Sequence, residues 1–412
     1  MNQPSLSATA IWGLGVTQII GYGTLYYGFS ILAPAMAREF GLAEEWVFAA
    51  LSVSLVVGAA ISPYAGRLAD RHGAGRIMTW GSLAAAAALL GCAVAPGRGS
   101  FVAALIATEL AAAFVLYSTA FVAIVQTGGV RATRSIVHLT LIAGFASTLF
   151  WPLTTQLHAH LDWREVYVVF ALLNLCVCLP IHAWLTGRSR RKTIETSPLP
   201  HEPVALVAPV APDAAVPLTA GRLIFGLMLV GFAIEGLVLA AILVHMVPLM
   251  GALGMGATGL VAATLFGPAQ VASRFVNMIF GGRLPQAWLA VIAAGLLPTG
   301  LMVLVLTTPR LEGALVFVVL FGLGSGLASI VGGTLPLELF GRAGYGARLG
   351  WVTAARQLSA AFAPVGLSAL LARVGAPLSL SFLAALAAVA LTAFLSIAVL
   401  RRARPVTVEA PG

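Results

Sequence analysis

Gly66-Arg67-Leu68-Ala69-Asp70-Arg71-His72-Gly73-Ala74-Gly75-Arg76 is a short charged segment between two long apolar runs. It holds three arginines, one aspartate and three glycines. The runs on either side, at about 46–66 and 76–95, are each long enough to cross hydrocarbon as a helix. A charged turn joining two such runs is what a polytopic membrane protein requires. The rest of the chain repeats the pattern.

Over 412 residues the composition is 60% hydrophobic and 9% charged, with a mean hydropathy of +0.98. Soluble domains carry roughly 25% charged residues, so this chain cannot coat a water-soluble globule. Further apolar runs lie at about 10–36, 100–126, 136–158 and 164–186. A second set follows at about 222–250, 258–280, 285–306, 311–334, 347–372 and 377–400. Between the sets stand Arg188, Arg190, Arg191 and Lys192, then Pro198, Pro200, Pro203, Pro209, Pro212 and Pro217. Prolines at that density oppose helix and read as an exposed tether. The expected fold is all-α and integral to the membrane, with twelve spanning helices. They divide into bundles 1–186 and 221–412 joined by a linker, 187–220. Met1 to Ala10 lacks Lys and Arg, and the first apolar run is too long for a cleaved signal, so it reads as a retained helix.

The formal charge of +9 invites a nucleic-acid reading, but its distribution opposes one. With both termini cytoplasmic, sixteen of the twenty-three Lys and Arg fall in inside loops and five, Arg38, Arg98, Arg164, Arg310 and Arg373, fall outside. That is the positive-inside pattern. The cysteines Cys92, Cys176 and Cys178 lie in apolar runs and form neither a disulfide framework nor a zinc spacing. No Walker loop or nucleophile–base set occurs, and no cofactor is expected. The Ala/Gly/Arg bias with a single lysine suits a GC-rich bacterial genome, hence an inner membrane.

The quoted loop resembles the signature loop of the major facilitator superfamily, G-x-L-A-D-R-x-G-x-(x)-R, in its expected place. Asp162-Trp163-Arg164 also looks typical of that superfamily, and Phe280-Gly281-Gly282-Arg283 is a degenerate trace of the loop in the second half. The resemblance implies two six-helix bundles around a central cavity that opens alternately to the two sides. It also implies that Gly66, Asp70, Arg71, Gly73 and Arg76 form a latch on the cytoplasmic side. Asp70 can accept from Arg71 or Arg76, or face the positive end of a neighbouring helix. A plain solvated turn is the blander reading.

Four ionisable residues fall inside apolar runs: Glu109, Glu235, Arg274 and Arg356. Such groups cost several kcal/mol in hydrocarbon and mark function, unless they merely pair with one another. Arg274 and Arg356 sit roughly 10–15 Å in from their helix ends, at similar depth. Two guanidiniums at one depth suit a carboxylate or another oxyanion. Gln270 lies one turn before Arg274. This set resembles the monocarboxylate transporters and the oxalate/formate antiporter branch. Arg274 matches the helix 8 arginine, and Arg356 stands where the antiporters carry a lysine. Gln270 replaces the acidic partner of the monocarboxylate transporters, and helix 1 lacks their lysine. Glu235, about 20 Å along its helix, is a candidate proton carrier or a salt-bridge partner. Glu109 is a second such candidate. Gln18, Tyr22 and Tyr26 share one face of helix 1, with Tyr27 adjacent, and read as cavity lining.

Other signals are weak. Gly254-Met255-Gly256-Ala257-Thr258-Gly259 matches G-x-G-x-x-G without a preceding strand. His158, His160 and Asp162 read as a solvated helix end before a metal site. His138 and His245 read as bonded neutral imidazoles. Gly322, Gly324 and Gly326 read as helix-packing positions. The sequence therefore predicts a monomeric secondary transporter of a small anion, coupled to protons or to a counter-substrate. A proton-driven exporter of amphipathic or cationic compounds and a non-transporting membrane sensor are the alternatives.

Overall fold

The computed structural model describes residues 7–195 and 218–402, and every regular element among them is helical. Nine helices among the described residues are long and apolar enough to cross a membrane. The longest, Tyr345–Arg402, is two helices that meet at Gly375, where a φ of 77° ends the first. The apolar runs near 10–36 and 258–280 are also helical, but each is interrupted.

In chain order, α1 comprises Ala8–Tyr22, a π-helical turn Gly23–Tyr27 and Gly28–Phe40. Then follow α2 (Glu44–His72), α3 (Ala74–Ala93), α4 (Arg98–Val115 and Tyr117–Thr127) and α5 (Ala132–Ala143 and Ala146–His158). Helix α6 runs through Trp163–Leu173, a π-turn Asn174–Cys178 and Leu179–Glu195. The second half holds α7 (Leu218–Ala252), α8 (Gly256–Ala263 and Phe266–Phe280), α9 (Gln286–Thr307) and α10 (Leu311–Phe340). It ends with α11 (345–374) and α12 (376–402). Helix thus extends into both edges of the expected tether. The proline cluster between, 196–217, lies outside the described residues. Alternating helix directions put the α2–α3, α4–α5, α8–α9 and α10–α11 turns on the face of the linker.

Equivalent devices organise the two halves on that face. At the end of α4, Gln126 accepts from the Ala74 N–H that opens α3 (2.9 Å) and donates to the Ala69 carbonyl (2.9 Å). At the end of α10, Glu338 accepts from the Gln286 N–H that opens α9 (2.6 Å) and pairs with Arg401. Each supplies an orphan N–H of a helix start with the acceptor it lacks. On the opposite face, Asp162 and Glu165 form a reciprocal capping box at the start of α6. Arg164 and Trp163 then grip Glu39 at the end of α1, and Arg164 donates to the Ala93 carbonyl of α3 (2.7 Å). The Asp162-Trp163-Arg164 triplet is therefore a clamp on three helices.

The cores reveal the conformation. On the linker face the halves share apolar cores: Met78, Phe121, Ile136 and Leu139 pack with Tyr345 and Leu349. Val137 joins Phe232, Leu335 and Val352. Toward the opposite face each half keeps a core of its own, with Leu32, Leu89 and Phe170 in one and Ile242, Leu301 and Phe317 in the other. The halves are thus joined on the linker face and parted on the other, which opens the space between them to that side.

Small residues set the spacing of α8 and α10. A Cβ on Gly326 would lie 2.0 Å from the Ser273 hydroxyl and 2.3 Å from the Gln270 carbonyl oxygen. A Cβ on Gly322 would lie 2.8 Å from Ala269, whereas Gly324 faces Leu297 of α9. Gly326→Ala must push the helices apart, at a cost of about 1–3 kcal/mol. A thermal melt in detergent should show it several degrees below wild type. Gly366→Ala, whose Cβ meets nothing within 4 Å, should melt at or slightly above wild type.

Candidate functional site

Five helices depart from regular α geometry along their length. Helices α1 and α6 carry π-turns, α4 is extended at Leu116 (φ −81°, ψ −170°), α5 breaks at Gly144 and Phe145, and α8 breaks between Ala263 and Phe266. Broken backbone at membrane depth is tolerated only where protein buries it or a cavity hydrates it. The break in α4 frees carbonyls that need donors. Fully buried Gln18 gives its Nε2 to the Val115 carbonyl (2.8 Å), and Thr119 donates to Ala113 (3.1 Å). Gln18 therefore supports the break from behind and does not line the cavity.

The π-turn gathers the tyrosines. On an α-helix Tyr27 would stand about 140° round from Tyr22. The wider turn brings their ring centroids to 6.4 Å. Tyr26 meets Tyr27 edge-on at 5.3 Å, Tyr22 meets Tyr117 of α4 at 4.7 Å, and Tyr27 meets Trp151 of α5 at 6.0 Å. Tyr117 stacks on Phe121 at 5.2 Å. Tyr26 and Trp151 are half exposed. Tyr117 and Trp151 were not candidates from sequence, and Tyr27 entered only as the neighbour of Tyr26. A π-turn leaves no sequence pattern, and the partners lie on other helices.

Arg274 is buried and spans both halves. Its Nε donates to Ser329 of α10 (3.1 Å), and its Nη1 donates to the Thr140 carbonyl of α5 in the other half (3.1 Å). The Nη1 atom lies 2.2 Å from where a Cβ on Gly144 would stand, so the break in α5 is its socket. One turn earlier Gln270 donates to Ser325 of α10 (2.9 Å), repeating the α8–α10 pairing. That bond turns Gln270 toward its own half. Arg356 is part-buried, and its guanidinium makes no hydrogen bond among the described residues. Its backbone presses on α7, where a Cβ on Gly236 would lie 2.7 Å from the Arg356 carbonyl. Ser359 staples the same turn to the Ala233 carbonyl (2.6 Å). Arg356 Nη1 is 3.8 Å from the Cβ position of Gly332 on α10, and the next residue, Gly333, lies against the Phe121 ring. Tyr117 feels the charge of both arginines, Tyr22 and Tyr26 that of Arg356, and Tyr27 that of Arg274. The structure thus brings Arg274, Arg356, Tyr22 and Tyr26 around one space and leaves Gln270 to its side.

Both candidate carboxylates are buried. Glu235 precedes the Gly236 contact, lies in the field of Arg356 and has an Oε2 without a hydrogen-bond partner. Glu109 on α4 packs its backbone against Gly58 of α2, also has one unpartnered oxygen, and lies within electrostatic reach of Tyr26. The ion pairs among the described residues, Arg164–Glu39 and Arg401–Glu338, are both at helix ends. Direct pairing among the four intramembrane charges is not how the fold accommodates them.

Beneath this space the linker face is latched. The Asp70 carboxylate accepts from the N–H groups of Gly346 and Ala347, both at 2.9 Å, at the start of α11. Of the two arrangements open to Asp70, the structure adopts the helix terminus, where orphan N–H groups and the dipole favour an anion. Arg71 and Arg76 are exposed and make no hydrogen bond among the described residues. Helices α2 and α11 meet backbone to backbone: a Cβ on Gly66 would lie 1.9 Å from the Gly346 carbonyl oxygen, and one on Gly350 would lie 2.4 Å from that of Ser62. Gly73, with φ of 86°, turns the chain from α2 into α3. Tyr345 donates to the Gly333 carbonyl (2.6 Å) and joins the latch to the cavity floor.

Residues 15–364 match the family model described as Major Facilitator Superfamily. No curated relative matches the chain by sequence. Solved structures similar to it include the human organic anion transporter MFSD10 (TETRAN), at 13% identity and a TM-score of 0.63, over 94% of this chain and 98% of that one. The proton:xylose symporter XylE aligns at 14% identity and a TM-score of 0.66, over 95% and 96%. FucP, in the outward conformation, aligns at 13% identity and a TM-score of 0.63, over 93% and 97%.

The latch geometry makes a direct prediction. Hydrogen bonds to a charged group contribute about 1.5–3 kcal/mol, so Asp70→Ala should shift the closed-to-open ratio of the linker face roughly tenfold or more. Gly66→Ala should act the same way by steric exclusion. A cysteine replacing buried Leu349 reports it: in a background without native cysteines, a water-soluble maleimide should label it slowly, and much faster once either change is added. Unchanged labelling would show that the shared apolar core alone holds the face shut.

Proposed function

The chain belongs to the Major Facilitator Superfamily, a family of multi-pass secondary transporters that work by alternating access, and from that premise we propose that its cargo is a small organic anion. The observation that carries the reading is the pair Arg274 and Arg356. They come from α8 and α11, lie within electrostatic reach of the same Tyr117, and have no carboxylate partner among the described residues. Buried Arg274 and part-buried Arg356 have no carboxylate counter-ion among the described residues, and an anion supplies the missing charge. Tyrosine hydroxyls beside them offer further donors. The arginine positions favour the branch that holds the monocarboxylate transporters and oxalate/formate antiporters. MFSD10 is itself described as an organic anion transporter, which agrees with the cargo class. The loop charges favour an inner membrane with both termini cytoplasmic, which makes the linker face the cytoplasmic one.

The geometry also supplies a route from binding to movement. Arg274 spends one donor on Thr140, across the halves. An anion that takes that donor weakens a contact of the closed linker face and draws α8 and α11 toward the α1 wall. A ligand shifts a conformational equilibrium only through such differential contacts. An anion on Arg356 also cancels the positive charge beside Glu235, so that anion and proton load together. Glu235 is the proposed proton carrier, and Glu109, buried against α2 within electrostatic reach of Tyr26, is a second candidate in the other half.

The test is thermal stability of the purified protein against carboxylates and against tetraphenylphosphonium. A carboxylate at 100 times its Kd should stabilise wild type by about 2.7 kcal/mol. Arg274→Ala and Arg356→Ala should each weaken that ligand about 10–100-fold. Stabilisation by the cation alone, undiminished in Arg274→Ala, would replace this reading with a cation exporter. In proteoliposomes, Glu235→Gln should abolish accumulation driven by a pH gradient and keep anion exchange. Retention of gradient-driven uptake in Glu235→Gln but not Glu109→Gln would move the proton to α4.

A further inference from the structure

The π-turn of α1 does more than supply hydroxyls. It turns three consecutive-face tyrosines into a wall that continues through Tyr117 on α4 and Trp151 on α5, with centroids 4.7–6.4 Å apart. Ordinary core aromatics are covered, but Tyr26 is 46% exposed and Trp151 is 50% exposed while each touches part-buried Tyr27. The wall ends at the arginines on both sides. Tyr117 stacks on Phe121, which abuts Gly333, next to the Gly332 position that Arg356 Nη1 approaches to 3.8 Å. Arg274 is seated at Gly144, one short segment before Trp151 on the same helix.

The rings do not stack face to face on one another. Tyr26–Tyr27 and Tyr27–Trp151 cross at 79° and 87°, and Tyr22–Tyr117 at 54°. Edge-to-face packing leaves ring faces free, and a ring face is electron-rich where its edge is not. A planar aromatic guest can present its edge to one host ring and its face to another. A saturated ring of the same size has neither an electron-rich face nor a flat profile. We propose that the anion bound by Arg274 and Arg356 is an aromatic carboxylate, its ring seated among Tyr22, Tyr26, Tyr27, Tyr117 and Trp151. This rests on the anion reading of the arginine pair and adds the chemistry of the rest of the molecule.

The test compares benzoate with cyclohexanecarboxylate on the full-length protein in detergent, by calorimetry or ligand-dependent melting. The two acids share charge and ring size, and the saturated one is the more hydrophobic. Aromatic contacts predict that benzoate binds at least about fivefold tighter. Tyr27→Leu and Trp151→Leu should each erase that preference, whereas Tyr27→Phe should keep it. Equal binding of the two acids by wild type, or a preference that survives both leucine variants, overturns the aromatic proposal while the anion site stands. If neither acid nor acetate binds wild type, the arginine reading fails and takes this proposal with it. The wild-type comparison decides the matter alone should a variant not fold, and Trp151 is exposed enough for its replacement to be tolerated.

Discussion

The Asp70 carboxylate on the first N–H groups of α11 is the contact on which the observed conformation turns. It places a negative charge where helix geometry leaves donors unpaired, and it does so across the two halves. Because Gly66 and Gly346 let the backbones touch, the carboxylate reaches both donors at 2.9 Å without stretching. With α2 held on α11, Tyr345 is buried and bonds Gly333, and Gly333 in turn carries the Phe121 ring that floors the cavity. The shape of the site thus follows from a contact made on the linker face. Among the described residues no comparable joint core unites the halves toward the other face, and the space between them opens there.

The breaks in the cavity helices and the burial of charge are one phenomenon. A continuous α-helix satisfies its own backbone and has little to offer a solute. Interrupting α1, α4 and α5 turns tyrosines inward and makes the Gly144 socket for Arg274. The cost is unpaired backbone, and the chain meets it with Gln18 on Val115 and Thr119 on Ala113. Polar residues that seem misplaced in an apolar run are thus of two kinds. Some point to the solute. Others repair the helix that was broken to make room for it.

This division explains what was legible in the sequence. The signature loop is contiguous, so it announces the fold; of its charged residues Asp70 reaches α11, while the Arg71 and Arg76 side chains make no hydrogen bond among the described residues. The intramembrane arginines are legible because charge in hydrocarbon needs a reason. Gln18 was misread because it shares a helix face with Tyr22 and Tyr26, and only the break at Leu116, on another helix, assigns it to backbone repair. Tyr27 was hidden because the pattern assumes 3.6 residues per turn, and the π-turn changes that count locally. Gln270 was expected beside the arginines on spacing alone. Spacing gives the face of α8 but not which neighbour fills it, and Ser325 does. The partner of Asp70 lies 276 residues away, beyond any local reading.

Two ties of different character hold the linker face, and the difference matters for transport. The α2–α11 latch is made of a carboxylate, backbone N–H groups and glycines, all outside the reach of a solute in the cavity. Its strength is fixed by the sequence and sets the resting bias. The α5–α8 tie is made by Arg274 and a carbonyl, and the same guanidinium borders the cavity. A neutral carbonyl is the weaker of two acceptors when an anion is at hand, since a charged acceptor bonds roughly twice as strongly. On the proposed anion reading, an incoming anion would act on α5–α8 first, and the α2–α11 contact would have only to be weak enough to yield once that tie is lost.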